Sequence, residues 1–414
     1  EDQPILARPI RRAEKVWRWC RQRPAISSLL ALLVAVVVGA FFVSRDVKHR
    51  ERADGFVNQL LSSEFADTPE VITQLVPYRR RIQPRLQKES EQAEADGNRD
   101  AQMRLALAQF ILDEDHGRSD YLYERLLTAT PSEFPVLCEV LSARRNQFVE
   151  SLWTLANASE VRLSRRFRAC AALSQWAPAD DRWQPIAPFV VDQLSVLPIA
   201  QHGPWRDQLH PIKTWLVKPL EALLLNKSER IHKRNLSADC LATYHADQPA
   251  ELFRLLMESG EQQFGEFLPA LAVHRSEFIR LLEEELDGQL APDADEEQAT
   301  RYSRRQAFVA MAAYQLNVAD IATPVLTRNS DPLARTQFIH WAAPFGVDPH
   351  FVISQLKQET DGFVRQALLL TLGEFNSVQL TLSERERLLP YLGLHHCCTV
   401  TVRIAQQRFL FRRD

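Results

Sequence analysis

One phrase recurs along the second half of this chain: an arginine followed by a helically spaced run of small and apolar residues. The copies begin at Arg168, Arg234, Arg305, Arg335 and Arg365. The last three arginines follow one another at intervals of 30 residues. A helix–turn–helix unit of that length cannot bury its own apolar face, so the copies must stack on one another. The phrase therefore predicts an all-α fold with an irregular α-solenoid over 161–390. An irregular helical bundle is the alternative.

Aspartates mark the turns and starts of these units. Two copies close with a turn that contains Asp, at Ala246–Pro249 and at Gly346–Pro349. Two copies also carry an aspartate one turn ahead of the arginine: Asp331 before Arg335 and Asp361 before Arg365. An aspartate at that place caps a helix and favours its positive amino-terminal end. Composition agrees with a helical protein, since 12 glycines in 414 residues fall below the usual share of about 7%.

The other strong constraint is an uncharged run of 20 residues, Ala25–Ser44. A helix of that length matches the roughly 30 Å hydrocarbon core of a bilayer. Basic residues are denser before the run than after it, which by the positive-inside rule places the amino-terminal side in the cytoplasm. We therefore expect a single transmembrane helix with the bulk of the chain extracytoplasmic. A cleaved signal peptide and a buried core helix are the alternatives.

Five segments follow from these patterns. They are a basic cytoplasmic juxtamembrane segment (1–24), the transmembrane helix (25–44), a helical membrane-proximal region (45–160), the repeats (161–390) and an atypical tail (391–414). In the tail, Cys398–Ile404 alternates polar and apolar residues like a strand, which is inconsistent with a helical solenoid. We interpret it as the product of a frameshift, with a natural terminal cap strand as the alternative. Because Glu1 is not a methionine, we expect a trimmed start or the carboxy-terminal part of a longer protein.

No catalytic pattern is found, so we predict no catalytic, cofactor-binding or metal residues and no cofactor. Kinase signatures, a P-loop, G-x-S-x-G and H-E-x-x-H are all missing from the sequence. His395–Cys398 is the one dense cluster of soft ligands, but four adjacent side chains cannot all reach one ion. The acidic segment Asp287–Thr300 is predicted to be a solvated loop rather than a metal site. The remaining histidines are expected to be structural: His210, His232, His245, His274 and His340. We expect Cys138, Cys170 and Cys240 to be buried hydrophobic residues.

Three segments together resemble one family. They are Arg11–Ala25 ahead of the apolar run, Asp120–Leu127 together with Glu133–Leu137, and Asp331–Phe375, of which Asp361–Phe375 is similar to the first helix of a HEAT repeat. The chain thereby resembles the juxtamembrane and extracytoplasmic helical region of planctomycete transmembrane serine/threonine kinases. In that family a cytoplasmic kinase domain precedes the membrane helix, and a formylglycine-generating-enzyme-like domain often follows the helical region. Neither domain lies in this sequence, so the resemblance implies location and role but no catalytic residue.

The predicted function is that of a membrane-anchored interaction or sensory module of a kinase-like signalling protein. Its partners would be the lipid bilayer, through 25–44, and a protein on one face of the solenoid. A net charge of −3 gives no electrostatic footprint for nucleic acid. The alternatives are a stand-alone membrane-tethered scaffold and, more weakly, a metal-dependent hydrolase. The oligomeric state stays open.

Overall fold

The chain is helical throughout the part that the computed structural model describes. That part comprises residues 52–113, 118–327 and 331–392, together with Leu32, Leu33, Val36, Val37 and Ala40. Every regular element within it is an α-helix or a 3₁₀-helix, and these residues contain no strand. The predicted all-α class is confirmed for them.

Three predicted segments fall mostly or wholly outside this described part. The basic segment 1–24 and the tail beyond Leu392, with its strand-like stretch and His395–Cys398, lie outside it. So does the apolar run 25–44 apart from five positions. Among the residues that the structure describes, none of the helices combines the length and apolarity needed to cross a bilayer. The transmembrane helix therefore stays a prediction.

The chain divides into two compact units, the first ending at Ala177 and the second beginning at Pro178. The predicted segment boundary between 160 and 161 stays a prediction. From residue 52 on, the helices of the first unit are α1 (52–62), α2 (Thr68–Leu75), α3 (Arg79–Ala95), α4 (Arg99–Asp113), α5 (Ser119–Leu126), α6 (Phe134–Ser142), α7 (Arg145–Asn157) and α8 (Leu163–Trp176).

The α-helices of the second unit range from 8 to 20 residues. They are α9 (Trp183–Val196), α10 (Ile199–Leu209), α11 (Lys213–Leu225), α12 (Ile231–Tyr244), α13 (Pro249–Glu258), α14 (Phe264–Val273), α15 (Arg275–Asp287), α16 (Glu296–Gln315), α17 (Ala319–Leu326), α18 (Pro332–Trp341), α19 (Pro349–Gln358), α20 (Gly362–Leu372) and α21 (Leu382–Leu392).

Helices of the second unit pack mainly on their near neighbours in sequence. Helix α11 packs on α12, α12 on α14, and α13 on both α14 and α15. Further along, α16 packs on α17 and α18, and α20 on α18 and α19. Contact with the next helix and the next but one is the pattern of stacked helix pairs. The solenoid-like arrangement predicted for the repeats is confirmed in this unit.

Aromatic rings join three successive helix pairs of the second unit. The ring of Phe264, at the start of α14, lies 5.1 Å from that of Phe308 in α16 and 5.3 Å from that of Phe345, measured between centroids. Trp341, at the end of α18, lies 5.6 Å from Phe308. Phe264 and Phe308 are fully buried. Such ring pairs add about 0.5–1.5 kcal/mol beyond the burial of their area.

Aspartate caps begin the last helix pairs, as the sequence predicts. The side chain of Asp331 accepts a hydrogen bond from the backbone N–H of Leu333 at 2.9 Å. Asp361 accepts from two such groups, including that of Phe363 at 2.7 Å. Asp348, in the Asp-containing turn, caps α19 in the same way. Each cap satisfies donors that the first turn of a helix leaves unpaired.

Left-handed residues end several helices. Asn317 follows α16 with φ of 57°, and Gly346 follows the last turn of α18 with φ of 78°. In both places the next residue donates its backbone N–H to a carbonyl five positions back, as Val347 does to Ala342 at 3.0 Å. This is the Schellman arrangement, in which a left-handed residue lets orphan carbonyls find donors.

We expect Gly346→Ala to lower the free energy of unfolding by about 1–2 kcal/mol, the cost of a left-handed conformation in a residue with a Cβ. A Cβ at this position has no atom within 4 Å, so backbone strain is the only penalty. Denaturant unfolding of the full chain, followed by tryptophan fluorescence, measures the change. The matched variant Asn317→Gly should leave stability unchanged or raise it slightly. Equal stability of Gly346→Ala and the unaltered chain would contradict the cap.

Candidate functional site

Five arginines of the described residues precede a buried aromatic residue by ten positions. Two of them bond glutamates: Arg254 pairs with the carboxylate of Glu221, and Arg365 donates to the carbonyl of Glu359. The other three are Arg166, Arg234 and Arg304, which precede Trp176, Tyr244 and Tyr314.

Arg166 and Arg234 each bind the end of the preceding helix. Arg166 donates from Nε and Nη2 to the carbonyl of Ala156 at 3.1 and 2.8 Å. Arg234 donates from Nε to the carbonyl of Leu224 at 2.9 Å. In both cases the acceptor lies ten residues upstream.

These contacts correct the position of the repeated arginine that the sequence predicts. We predicted that Arg168 and Arg305 were the repeated arginines, and the structure gives that position to Arg166 and Arg304. Arg168 instead donates to the carbonyl of Ala129 at 2.5 Å, and Arg305 forms a double ion pair with Glu285, with both N···O distances 2.6 Å. In the copies of Arg166 and Arg234, the guanidinium satisfies a helix-end carbonyl.

Arg304 has lost the acceptor that its two equivalents use. The residue ten positions upstream is Ala294, which lies in the loop 288–295 rather than at the end of a helix. The guanidinium of Arg304 makes no hydrogen bond or ion pair with any residue that the structure describes, and its Nε is buried. A buried donor left without a partner costs about 1–3 kcal/mol. The third copy thus carries a cation without the contact that explains the other two.

The loop itself is shorter than the acidic segment predicted. Residues 296–300 are helical, so the prediction of a loop over Asp287–Thr300 is wrong at its carboxy-terminal end. The cause is a capping box that starts α16: Gln298 donates its backbone N–H to the carboxylate of Asp295 at 2.7 Å, and its side chain accepts from the N–H of Asp295. This box fixes the first turn of α16 beside Arg304.

Arg304 lines an open cleft of about 380 Å³. Its walls are the first two turns of α16 and the turn between α11 and α12, which contribute Lys227, Glu296, Glu297, Thr300, Arg301 and Arg304. The ammonium of Lys227 is exposed and forms no ion pair with the described residues. Arg301 is paired with Glu297 at 3.2 Å. Lys227 and Arg304, two cations without an ion-pair partner in the described part of the chain, thus border the same space.

The surroundings of Arg304 disfavour its charge. Burial lowers the pKa of the Arg304 guanidinium, and the nearby Arg301, Arg305 and Arg234 lower this pKa further, against the opposing effect of Glu261. Arg305 is neutralised by Glu285 and Arg301 by Glu297. An anion entering the cleft would relieve the remaining repulsion, because opposite charges within a few ångströms favour the charged form.

The predicted absence of catalytic, cofactor and metal residues stays a prediction. Among the described residues no group of three or more potential ligands converges on one point. His274 bonds the carbonyl of Ala246 at 2.7 Å, and His340 lies 3.3 Å from the carboxylate of Glu374. Both histidines therefore have structural partners. The cleft at Arg304 was missed from the sequence, although the ten-residue spacing to an aromatic residue was a signal that could have found its arginine.

Comparison with protein-family models, with curated proteins and with solved structures finds no match to this chain.

Three cysteines lie away from the cleft and are buried, as predicted: Cys138, Cys170 and Cys240. Burial raises the pKa of the Cys138 and Cys170 thiols to about 12. Because the thiolate is the reactive form, we expect iodoacetamide at pH 8 to leave all three unmodified in the folded chain. The same cysteines should be fully alkylated after unfolding in guanidinium chloride, as read by peptide mass spectrometry. Rapid alkylation of Cys170 without denaturant would contradict its burial.

Proposed function

We propose that this chain is a membrane-anchored helical-repeat module that binds a protein partner on its solenoid, without a catalytic site of its own. Its place would be in a serine/threonine-kinase-like signalling protein, with the amino-terminal side cytoplasmic and the bulk of the chain extracytoplasmic. The observation that carries the proposal is the stacking of short helices in the second unit, each on its sequence neighbours. Stacked repeats present an extended surface that suits protein recognition.

Apolar exposure supports the membrane anchor. Leu32, Leu33, Val36 and Val37 are helical, and each is between 58% and 68% exposed. Exposing four neighbouring large apolar side chains to water is unfavourable. Their burial in lipid lowers the free energy by about 25 cal/mol for each Å² of apolar surface withdrawn from water. Basic residues flank the run on the side assigned to the cytoplasm.

Flotation of liposomes carrying the full chain tests the anchor. We expect the unaltered chain to float with lipid, and the double variant Val36→Arg/Val37→Arg to float far less. Each arginine at the centre of a bilayer costs about 2.5–3.5 kcal/mol on insertion scales. The matched control is Val196→Arg/Ile199→Arg, which changes two exposed apolar residues of the second unit. Equal flotation of all three chains would overturn the anchor.

Cross-linking of the full chain in its native membranes tests the partner. We expect a defined protein to be captured by the unaltered chain. Phe264→Ala, which removes a ring from the core of the stack, should abolish the capture while flotation is retained. Capture that survives this change would place binding outside the solenoid. Absence of any captured protein would leave the stand-alone scaffold as the better description.

A further inference from the structure

The residues of the cleft at Arg304 suit the binding of an oxyanion rather than a bond to a neighbouring helix. The two equivalent arginines, Arg166 and Arg234, are occupied by helix-end carbonyls. At Arg304 the residue ten positions upstream lies in the loop 288–295, and no helix-end carbonyl is supplied from there. The N–H groups of the guanidinium can therefore bond another acceptor. A carboxylate or a phosphate group matches the geometry of these N–H groups with two parallel hydrogen bonds.

The walls of the cleft supply the rest of such a site. Lys227 adds a second cation from a turn that is remote in sequence. Thr300 lies one turn ahead of Arg304 and lines the wall, while its hydroxyl donates to the carbonyl of Glu296 at 2.8 Å. The open volume of about 380 Å³ admits a small acid group with the chain that carries it. Tyr302 donates its hydroxyl to the carbonyl of Gly288 at 3.1 Å, which holds the loop beside α16.

Two carboxylates at the rim narrow the choice of ligand. Glu297 is paired with Arg301 at 3.2 Å, whereas Glu296 forms no ion pair with the described residues. Glu296 repels an incoming anion while Lys227 and Arg304 attract it, and both effects are about twice as strong for a phosphate of nearly two charges as for a carboxylate of one. The three groups together carry one net positive charge, which a single carboxylate balances and a phosphate exceeds. The rim therefore favours the singly charged group.

We infer that the Arg304 cleft, formed by Lys227, Glu296, Glu297, Thr300, Arg301 and Arg304, binds a carboxylate presented by a peptide. Arg304 would receive it with its unoccupied guanidinium, and Lys227 would contribute a second positive charge. The inference rests on the proposed role of the chain as a binding module, for which it supplies the chemistry of recognition.

Thermal unfolding of the full chain in non-ionic detergent tests the inference. The probes are N-acetylglycine, which has one carboxylate on a peptide unit, and inorganic phosphate, each at constant ionic strength against chloride. A ligand that binds only the folded state raises the melting temperature with its concentration. We expect N-acetylglycine to raise it more than phosphate at equal concentration. Phosphate acting more strongly would assign the cleft to phosphate groups and overturn the choice of carboxylate.

Three variants locate the effect. Arg304→Met should weaken the apparent affinity for N-acetylglycine at least about tenfold, the loss expected for a charged hydrogen bond. Glu296→Gln should tighten it by up to about fivefold, because a like charge is removed. Arg280→Gln is the matched control, since Arg280 is exposed and pairs only with glutamates of its own helix among the described residues. It should bind as the unaltered chain does.

Two results would overturn the site. One is an equal rise in melting temperature for Arg304→Met and the unaltered chain, which would mean a general salt effect. The other is no rise up to about 100 mM, where even a ~10 mM site is about 90% occupied. Neither result bears on liposome flotation or on capture of a protein partner. Failure of this inference is therefore distinguishable from failure of the proposed function.

Discussion

Phe264→Ala should lower the free energy of unfolding of the second unit by about 3–5 kcal/mol, the usual cost of deleting a buried aromatic ring. The ring is fully buried and lies between those of Phe308 and Phe345, with centroid distances of 5.1 and 5.3 Å. Its loss leaves a cavity and removes two ring contacts at once. The measurement is denaturant unfolding of the full chain, followed by tryptophan fluorescence.

A matched substitution separates the effect of the buried ring contacts between helix pairs from the general cost of losing an aromatic residue. Phe363 lies in the first turn of α20 and is 37% exposed. We expect Phe363→Ala to cost less than half as much, since less apolar area is withdrawn from water. If both substitutions had the same effect, the buried rings would not be what joins successive helix pairs.

Arg234→Met should destabilise the second unit by about 1.5–3 kcal/mol, the range for hydrogen bonds of a charged group. The guanidinium bonds the carbonyl of Leu224 at 2.9 Å and the side-chain oxygen of Gln263 at 3.2 Å. Methionine keeps the aliphatic stem but leaves both acceptors without this donor. Arg166→Met should have a similar effect in the first unit, because two of its N–H groups reach the carbonyl of Ala156.

The same change at Arg304 is the matched control and should act differently. Since Arg304 makes no hydrogen bond or ion pair within the described part of the chain, Arg304→Met removes an unsatisfied buried donor without breaking such a bond. We expect its stability to equal or exceed that of the unaltered chain. A loss as large as that of Arg234→Met would show that Arg304 supports the fold, and would count against a cleft kept open for a ligand.

Local patterns predicted most of the fold of the second unit. Asp331 and Asp361 were identified from their position one turn ahead of an arginine, and both cap helices. The stacking followed from units too short to bury their own apolar faces. Capping and turn chemistry act over three or four residues, so one sequence contains all that such a prediction requires.

The candidate site was harder to predict because it depends on tertiary neighbours. Arg305 and Arg304 are adjacent in sequence, yet one meets Glu285 and the other meets open space. No pattern in the sequence brings Lys227 beside a helix that starts at Glu296. The start of α16 at Glu296 could have been predicted, because Asp295 and Gln298 have the spacing of a capping box.

Packing on near neighbours also determines how the second unit reaches its fold. When α12 packs on α11 and α14, and α16 on α17 and α18, the touching residues are separated by a few tens of positions. Such a chain has low contact order, and little loop entropy is lost before native contacts begin to form. Folding can start within any one pair and spread to the pairs on either side. Opening under load should likewise begin at an end and proceed pair by pair.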